Sequence, residues 1–267
     1  MKKRSLAFVA VIGALLAGVI VTGCGSSSDS GSGNTLLVGS DIPYPPFEQG
    51  EAPDYDGFDI ELVNEIADRT GKTVKYQDTA FDTIFRDVAQ GKFDMVASAA
   101  TITPEREQTV DFSDPYYEAN QAIVVASGSD IESVEDLDGK IIGAQDGTTG
   151  EAYANDEISA DSVRGYAQGP EAIQAAKAGQ VDAVIIDEPV AQDALSSQSG
   201  IEIAAVISTG ELYGFAFAQD NDSLREEINE ALQEIKDDGT LQKIYEKWFP
   251  GVDVPESVLS GTNESLK

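Results

Sequence analysis

A handful of side chains in this 267-residue chain stand where their type and neighbours can do chemistry. Arg106 ends the stretch Thr101-Ile102-Thr103-Pro104-Glu105-Arg106. A guanidinium can hold a carboxylate through two parallel hydrogen bonds, which a lysine cannot reproduce. The same arginine can equally form a surface ion pair with Glu105 or Glu107, and the residues alone leave both readings open. Thr101 offers a hydroxyl and a backbone donor, or is an ordinary threonine at a strand end. Thr148 and Thr149 follow Gly147 on a turn that opens a helix. Free N–H groups at such a turn favour anions, although a plain helix cap uses the same residue types. Asp187 closes the apolar run Ala183 to Ile186 and precedes Pro189. It can meet an ammonium group, or it can cap the helix that Pro189 leads. Histidine is absent, which excludes Ser-His-Asp and Cys-His catalysis and every His-ligated zinc or iron site. Asp54-Tyr55-Asp56-Gly57-Phe58-Asp59 lacks the ligand spacing of a calcium loop and reads as a loop entering a helix.

The elements that must position these groups are bounded by composition. Apolar residues make up 41%, enough for a buried core. The length suits one large domain or two lobes of about 100 residues each. Lys+Arg number 17 against 48 Asp+Glu, a net charge of −31. Such a chain repels phosphate backbones, so no nucleic acid is expected as a partner. The acid excess is either a solvated surface or an adaptation to high salt, and composition does not separate the two.

The amino terminus reads as an address. Met1-Lys2-Lys3-Arg4 is basic, and an apolar run follows from Leu6 to Val21. It is short and early, as in a secretory signal peptide spanning residues 1–23. It ends in Val21-Thr22-Gly23-Cys24, which looks like a bacterial lipobox, with the Cys24 thiol as the nucleophile that takes the lipid. A lone cysteine in an uncleaved anchor is the alternative. Cys24 is the only cysteine, and residues 24–35 are a Gly/Ser-rich flexible tether. Two or more acyl chains give durable attachment to a membrane. Removing the three basic residues of 1–23 takes the charge from −31 to −34.

From Leu36 onward strands and helices alternate. Leu36–Gly39 reads as a buried strand. The prolines at 43, 45 and 46 force a loop. Phe58 to Arg69 carries Ile60, Leu62, Val63 and Ile66 at helical spacing, and Gly71 stops it. Strands are predicted at 74–76, 94–99, 122–126, 140–144, 162–166, 183–186, 202–206 and 214–218. Helices are predicted at 81–90, 134–137, 150–156, 170–178, 189–196, 222–237 and 241–248. The pattern argues for α/β layers with mostly parallel sheets, with ligands beyond the carboxyl ends of the strands.

Over this span the chain resembles the bacterial extracellular solute-binding proteins for polar amino acids, family 3, which serve ATP-driven importers. The matching stretches are Asp41-Ile42-Pro43-Tyr44-Pro45-Pro46-Phe47-Glu48, Gly57-Phe58-Asp59-Ile60-Glu61-Leu62, Thr101 to Arg106, and Val110-Asp111-Phe112-Ser113-Asp114-Pro115-Tyr116-Tyr117. Downstream lie Asp136-Leu137-Asp138-Gly139-Lys140, Gly147-Thr148-Thr149-Gly150, Asp182 to Asp187 and Asp238-Gly239-Thr240. The resemblance implies an α/β, two-lobe periplasmic-binding-protein type II fold (Venus flytrap) with two hinge strands. Lobe 1 is then 36–120 plus 213–254, lobe 2 is 121–212, and 255–267 is a C-terminal tail. Hinges are expected near Tyr117 to Gln121 and Tyr213 to Phe215.

The resemblance also implies roles. Arg106 holds the carboxylate of an amino acid, helped by Thr101, Thr148 and Thr149. Asp187 and the carbonyls near Ala99 meet its ammonium. Tyr44 and Phe81 form aromatic walls, although both could be plain core residues. Asp41 meets the far end of a cationic or amide side chain, or is a turn aspartate before Pro43. Gln145 and Ile186 match variable pocket positions, and neither supplies a basic group for an acidic ligand. The expected ligand is arginine or lysine, then glutamine. The expected partners are the free amino acid, an ABC permease and, through the lipid, the membrane. A monomer outside the cytoplasm is expected, and no metal, nucleotide or other cofactor is called for. A secreted cyclohexadienyl-type dehydratase on the same fold and a ligand-sensing receptor component are the rival readings.

Overall fold

The computed structural model describes residues 34–261, so Cys24, the signal segment 1–23 and all but the end of the tether lie outside the described residues. The chain opens with β1 (Thr35–Ser40), the short strands β2 (Gln49–Glu51) and β3 (Asp54–Asp56), then α1 (Phe58–Thr70) and β4 (Thr73–Asp78). It continues through α2 (Phe81–Ala89), β5 (Met95–Val96), β6 (Val110–Phe112) and the long β7 (Tyr117–Ala126). Next come β8 (Ile141–Gln145), α3 (Thr149–Asp156), β9 (Ser162–Tyr166), α4 (Gly169–Lys177), β10 (Ala183–Asp187) and α5 (Glu188–Ser197). The last elements are β11 (Ile201–Tyr213), β12 (Ala216–Ala218), α6 (Asp222–Asp237), α7 (Thr240–Trp248) and α8 (Glu256–Leu259).

Two five-stranded sheets organise these elements, in the orders β4-β1-β5-β12-β6 and β11-β7-β10-β8-β9. The expectation of mostly parallel sheets is corrected: β12 runs antiparallel to β5 and β6, and β7 runs antiparallel to β10 and β11. The cause is connectivity. Parallel neighbours need a helical crossover on one face, whereas β7 enters its sheet directly from the other one and β12 returns likewise. The chain thus passes between the sheets twice, after β6 and after β11.

Both sheets bury both faces, which explains apolar runs without alternation. Met95 packs with α1 and α6, while its neighbour Val96 faces the cluster of Phe81, Ile84 and Val88 on α2. In the second sheet Val124 and Val184 join α4 and α5, while Ile123 and Ile185 face Leu137, Ala154 and Ile158. Where the chain crosses between the sheets, Phe47, Tyr117 and Tyr213 form an aromatic cluster. The Tyr117 and Tyr213 rings stack at 5.5 Å, with Phe47 edge-on at 5.0 Å from Tyr117. Such pairs add about 0.5–1.5 kcal/mol beyond their buried area.

Departures from the predicted elements have local causes. β5 stops at Val96 instead of Ala99 because Ala99 turns out of the extended region, at φ 44°. β11 is far longer than 202–206. Its outer half, Ser208-Thr209-Gly210-Glu211, carries no apolar alternation, and register shifts at 203/205 and 207/211 break the pattern further. The loop before α1 is part of the β2–β3 hairpin, and Gly57 at its end has φ 135°. A Cβ there would lie 2.1 Å from the Phe47 carbonyl oxygen, so only glycine fits. The segment set off as a tail contains α8, whose Val258 is fully buried.

Candidate functional site

The carboxyl ends of β1, β5, β8 and β10 and the amino end of α3 converge on one narrow cavity. It is lined by Asp41, Tyr44, Phe81, Ser98, Ala99, Thr101, Arg106, Gln145, Thr148, Thr149 and Asp187. Every site residue predicted from the sequence within the described residues is therefore brought to one place; Ile186 instead packs in the main apolar core. Free space inside is only about 10 Å³, roughly one water molecule. Wider grooves flank it: one of about 780 Å³ touches Arg106 and Gly147, and one of about 490 Å³ touches Thr101, Thr149 and Glu211.

Arg106 is half-buried and not a surface residue. Its Nη1 donates to the Thr101 carbonyl at 2.7 Å and its Nη2 to the Gly147 carbonyl at 3.1 Å. The guanidinium lies 4.4 Å from the Phe85 ring centre and 5.2 Å from that of Phe81. Cation–π contact of this kind holds its plane. Phe81 therefore serves the arginine and its own apolar cluster as much as the cavity. Burial lowers the Arg106 pKa to about 10, against the attraction of Glu211 and Asp187, so it stays charged at neutral pH. Two of the five guanidinium N–H groups are used in these bonds, and the remainder can take a carboxylate.

Asp187 stands at the cap position of α5 but its side chain makes no capping bond. Its carboxylate accepts from the Tyr44 hydroxyl at 2.7 Å and from Gln121 Nε2. Burial, then the nearby Glu211, pushes it up to about 7 against the hydrogen bonds of Tyr44 and Gln121. Tyr44 is thus a wall and also a tether across the cleft. Its ring needs Gly169, where a Cβ would sit 2.8 Å from Tyr44 and 2.9 Å from Ile186. Asp41 accepts from Gln145 Nε2, another contact between the two sheets. Gln145 also donates to the Ala167 carbonyl at 3.2 Å and accepts from Gly169 N–H at 3.1 Å. Asp41 is raised to about 7 by burial, opposed by Gln145 and reinforced by Asp78 and Asp82.

The Thr101 hydroxyl differs from the sequence expectation, whereas Thr148 takes the cap reading. The Thr101 hydroxyl donates to Glu211 at 2.7 Å and is not free to donate into the cavity. Thr149 donates to the same oxygen at 2.7 Å. Thr148 caps α3, accepting from Glu151 N–H at 3.2 Å. Gly147 N–H on the same turn is taken by the Glu151 carboxylate at 2.7 Å, so the amides of Thr149 and Gly150 are the ones left for an anion.

Sequence reasoning missed Ser98, Gln121 and Glu211. Ser98 accepts from Asp41 N–H at 2.9 Å and donates to the buried Glu48 at 2.8 Å. Asp59, also buried, accepts from Ala99 N–H at 2.9 Å and from the Tyr116 hydroxyl at 2.7 Å. Together they hold Ser98 and Ala99 in a strained turn behind the cavity. A buried-looking acid in an apolar stretch, as at Asp59, was the available signal. Among the described residues no cluster of metal-ligating side chains occurs.

The family model of the bacterial extracellular solute-binding proteins, family 3, matches residues 36–251. The chain belongs to this family. Among family members with curated functions, it is 36% identical over 238 residues to the arginine-binding extracellular protein ArtP of Bacillus subtilis, covering 86% of this chain and 93% of that protein. A solved ancestral arginine-binding protein bound to glutamine superimposes with a TM-score of 0.78 at 42% identity, covering 81% of this chain and 98% of the other. The ancestral amino acid-binding protein AncCDT-1, a precursor of cyclohexadienyl dehydratase, does so at 0.75 and 37%, covering 81% and 96%. The chain shares the mixed α/β, two-lobe type II fold of its structural neighbours.

Proposed function

We propose that this protein is the amino-acid-binding component of an ABC importer, held outside the cytoplasm by lipid on Cys24. It captures arginine or lysine first and glutamine next. The observation that carries the reading is the placement of Arg106, Asp187 and Asp41 around one cavity between the lobes. Arg106 takes the α-carboxylate with the amides of Thr149 and Gly150, and Asp187 takes the ammonium with the carbonyl side of the Ala99 turn. Asp41 takes the far end of the side chain, where Gln145 Nε2 now donates to it. The free space of about 10 Å³ admits no amino acid, so capture requires the lobes to part and close again over the ligand. Lobe 1 is 36–120 plus 213–254 and lobe 2 is 121–212, a partition supported by the two crossings near Tyr117 and Tyr213. Similarity to an arginine-binding relative and to an ancestral arginine-binding protein solved with glutamine supports arginine and glutamine as candidate ligands.

Calorimetric titration against all twenty amino acids tests this. Tightest binding of arginine or lysine is the expected result, and tightest binding of glutamate or aspartate overturns it. A dehydratase is the second reading, favoured by two pocket carboxyls, Asp41 and Asp187, raised to about 7 and so able to exchange protons near neutrality. Incubation with prephenate or arogenate is expected to yield no aromatic product.

A further inference from the structure

Glu211 lies on β11, one of the two strands that cross between the lobes, and stands beside the cavity without lining it. Both of its oxygens are occupied. Oε2 accepts the hydroxyl protons of Thr101 and Thr149, each at 2.7 Å, and Oε1 accepts from Gln121 Nε2 at 2.9 Å. Three donors on one acceptor-only group is the pattern of a carboxylate. A hydroxyl carries a single proton, so one that donates to Glu211 has only lone pairs left for anything else. Thr101 and Thr149 come from different lobes, and both line the cavity.

We propose that Glu211 is a specificity-determining residue that sets the polarity of the site. It claims the protons of the two threonine hydroxyls, so they turn acceptor lone pairs toward the ligand, and its own charge biases the site toward ligands with excess positive charge. This rests on the amino-acid reading above. With Glu211 included, Arg106 is the one cation set against Asp41, Asp187 and Glu211 at or beside the cavity. A zwitterion leaves that excess of acid uncompensated, whereas arginine or lysine adds a further positive charge. The ligand carboxylate is then served by Arg106 and backbone amides, and not by the threonine hydroxyls.

The test is the ratio of arginine to glutamine affinity, measured by calorimetry on the full chain and on Glu211→Gln. Glutamine has the same zwitterionic end but no side-chain charge. Glu211→Gln is expected to weaken arginine about tenfold more than glutamine. Glu211→Ala, which removes the charge with a different side chain, must shift the ratio the same way, and Glu211→Asp must preserve it. Glu211 accepts three hydrogen bonds on a half-buried strand, so each variant is expected to melt somewhat lower than the parent while staying folded, and the affinity ratio, not the melt, decides the proposal. Equal weakening of both ligands, or no change in either, overturns the proposal and leaves Glu211 as a structural tie. A parent chain that binds no amino acid overturns the functional reading itself, a distinct result.

Discussion

Arg106 shows how one residue's surroundings decide its use. Its plane is fixed by Phe85 and Phe81, and its first two bonds go to main-chain carbonyls of Thr101 and Gly147. A group so placed loses little freedom on meeting a carboxylate. Arg106→Ala is expected to lower amino-acid affinity by about 2–5 kcal/mol, because the ligand carboxylate would be left buried without its partner. Titration calorimetry on the variant checks this, and a loss under tenfold would place the carboxylate elsewhere. At this scale Arg106 and Asp187 are legible as candidates from residue type and neighbours, while Asp41 enters only through the family resemblance. The proton directions are not legible. The Thr101 hydroxyl reads as a donor into the site because Glu211, more than 100 positions away, is invisible as its partner until the fold brings it in.

Elements were legible where burial imposes a period and illegible where it does not. α1, α4 and α6 carry apolar stripes, and their ends fell within a residue or two of the prediction. The outer half of β11 is held by pairing with β7 and has no such stripe. The β2–β3 hairpin likewise carries no stripe, its strands being short and mostly exposed, and Asp54–Asp56 reads as loop. Its closing glycine makes a sharper claim at this scale. Gly57→Ala would press a Cβ against the Phe47 carbonyl at a backbone angle that alanine rarely adopts. A loss of about 1–3 kcal/mol is expected, read by urea denaturation. Because Phe47 sits in the aromatic cluster between the crossing strands, the damage should spread to the lobe junction, where a change at Gly71, which has open space, should not.

At the scale of the molecule, buried acid sets the response to pH. Asp41, Asp59 and Asp187 are each raised by burial from an ordinary value near 3.8 to about 7. The folded state then binds more protons than the unfolded chain between those limits, so stability falls as pH rises from about 4 through 7. The ligand-free protein is expected to melt lower at pH 7.5 than at pH 5.5, by about 2–4 °C for each kcal/mol. Arginine should recover more of the melting temperature at pH 7.5, where Asp41 and Asp187 are charged and want a cation. Scanning calorimetry at both pH values, with and without arginine, checks the sign. A protein stabilised by raising the pH over this range would mean that these carboxyls are not buried as described.

The near-solid packing of the cavity also sets a tempo. With room for about one water, neither entry nor exit can happen through the closed shape, so one motion times both. At scarce amino acid, capture rises with concentration. At plenty it levels off at the rate at which the lobes part, however much ligand is present. Release needs the same parting of the lobes, then against the ligand's own contacts, so a change that loosens the Tyr44–Asp187 and Asp41–Gln145 ties of the empty form should quicken loading with less effect on residence.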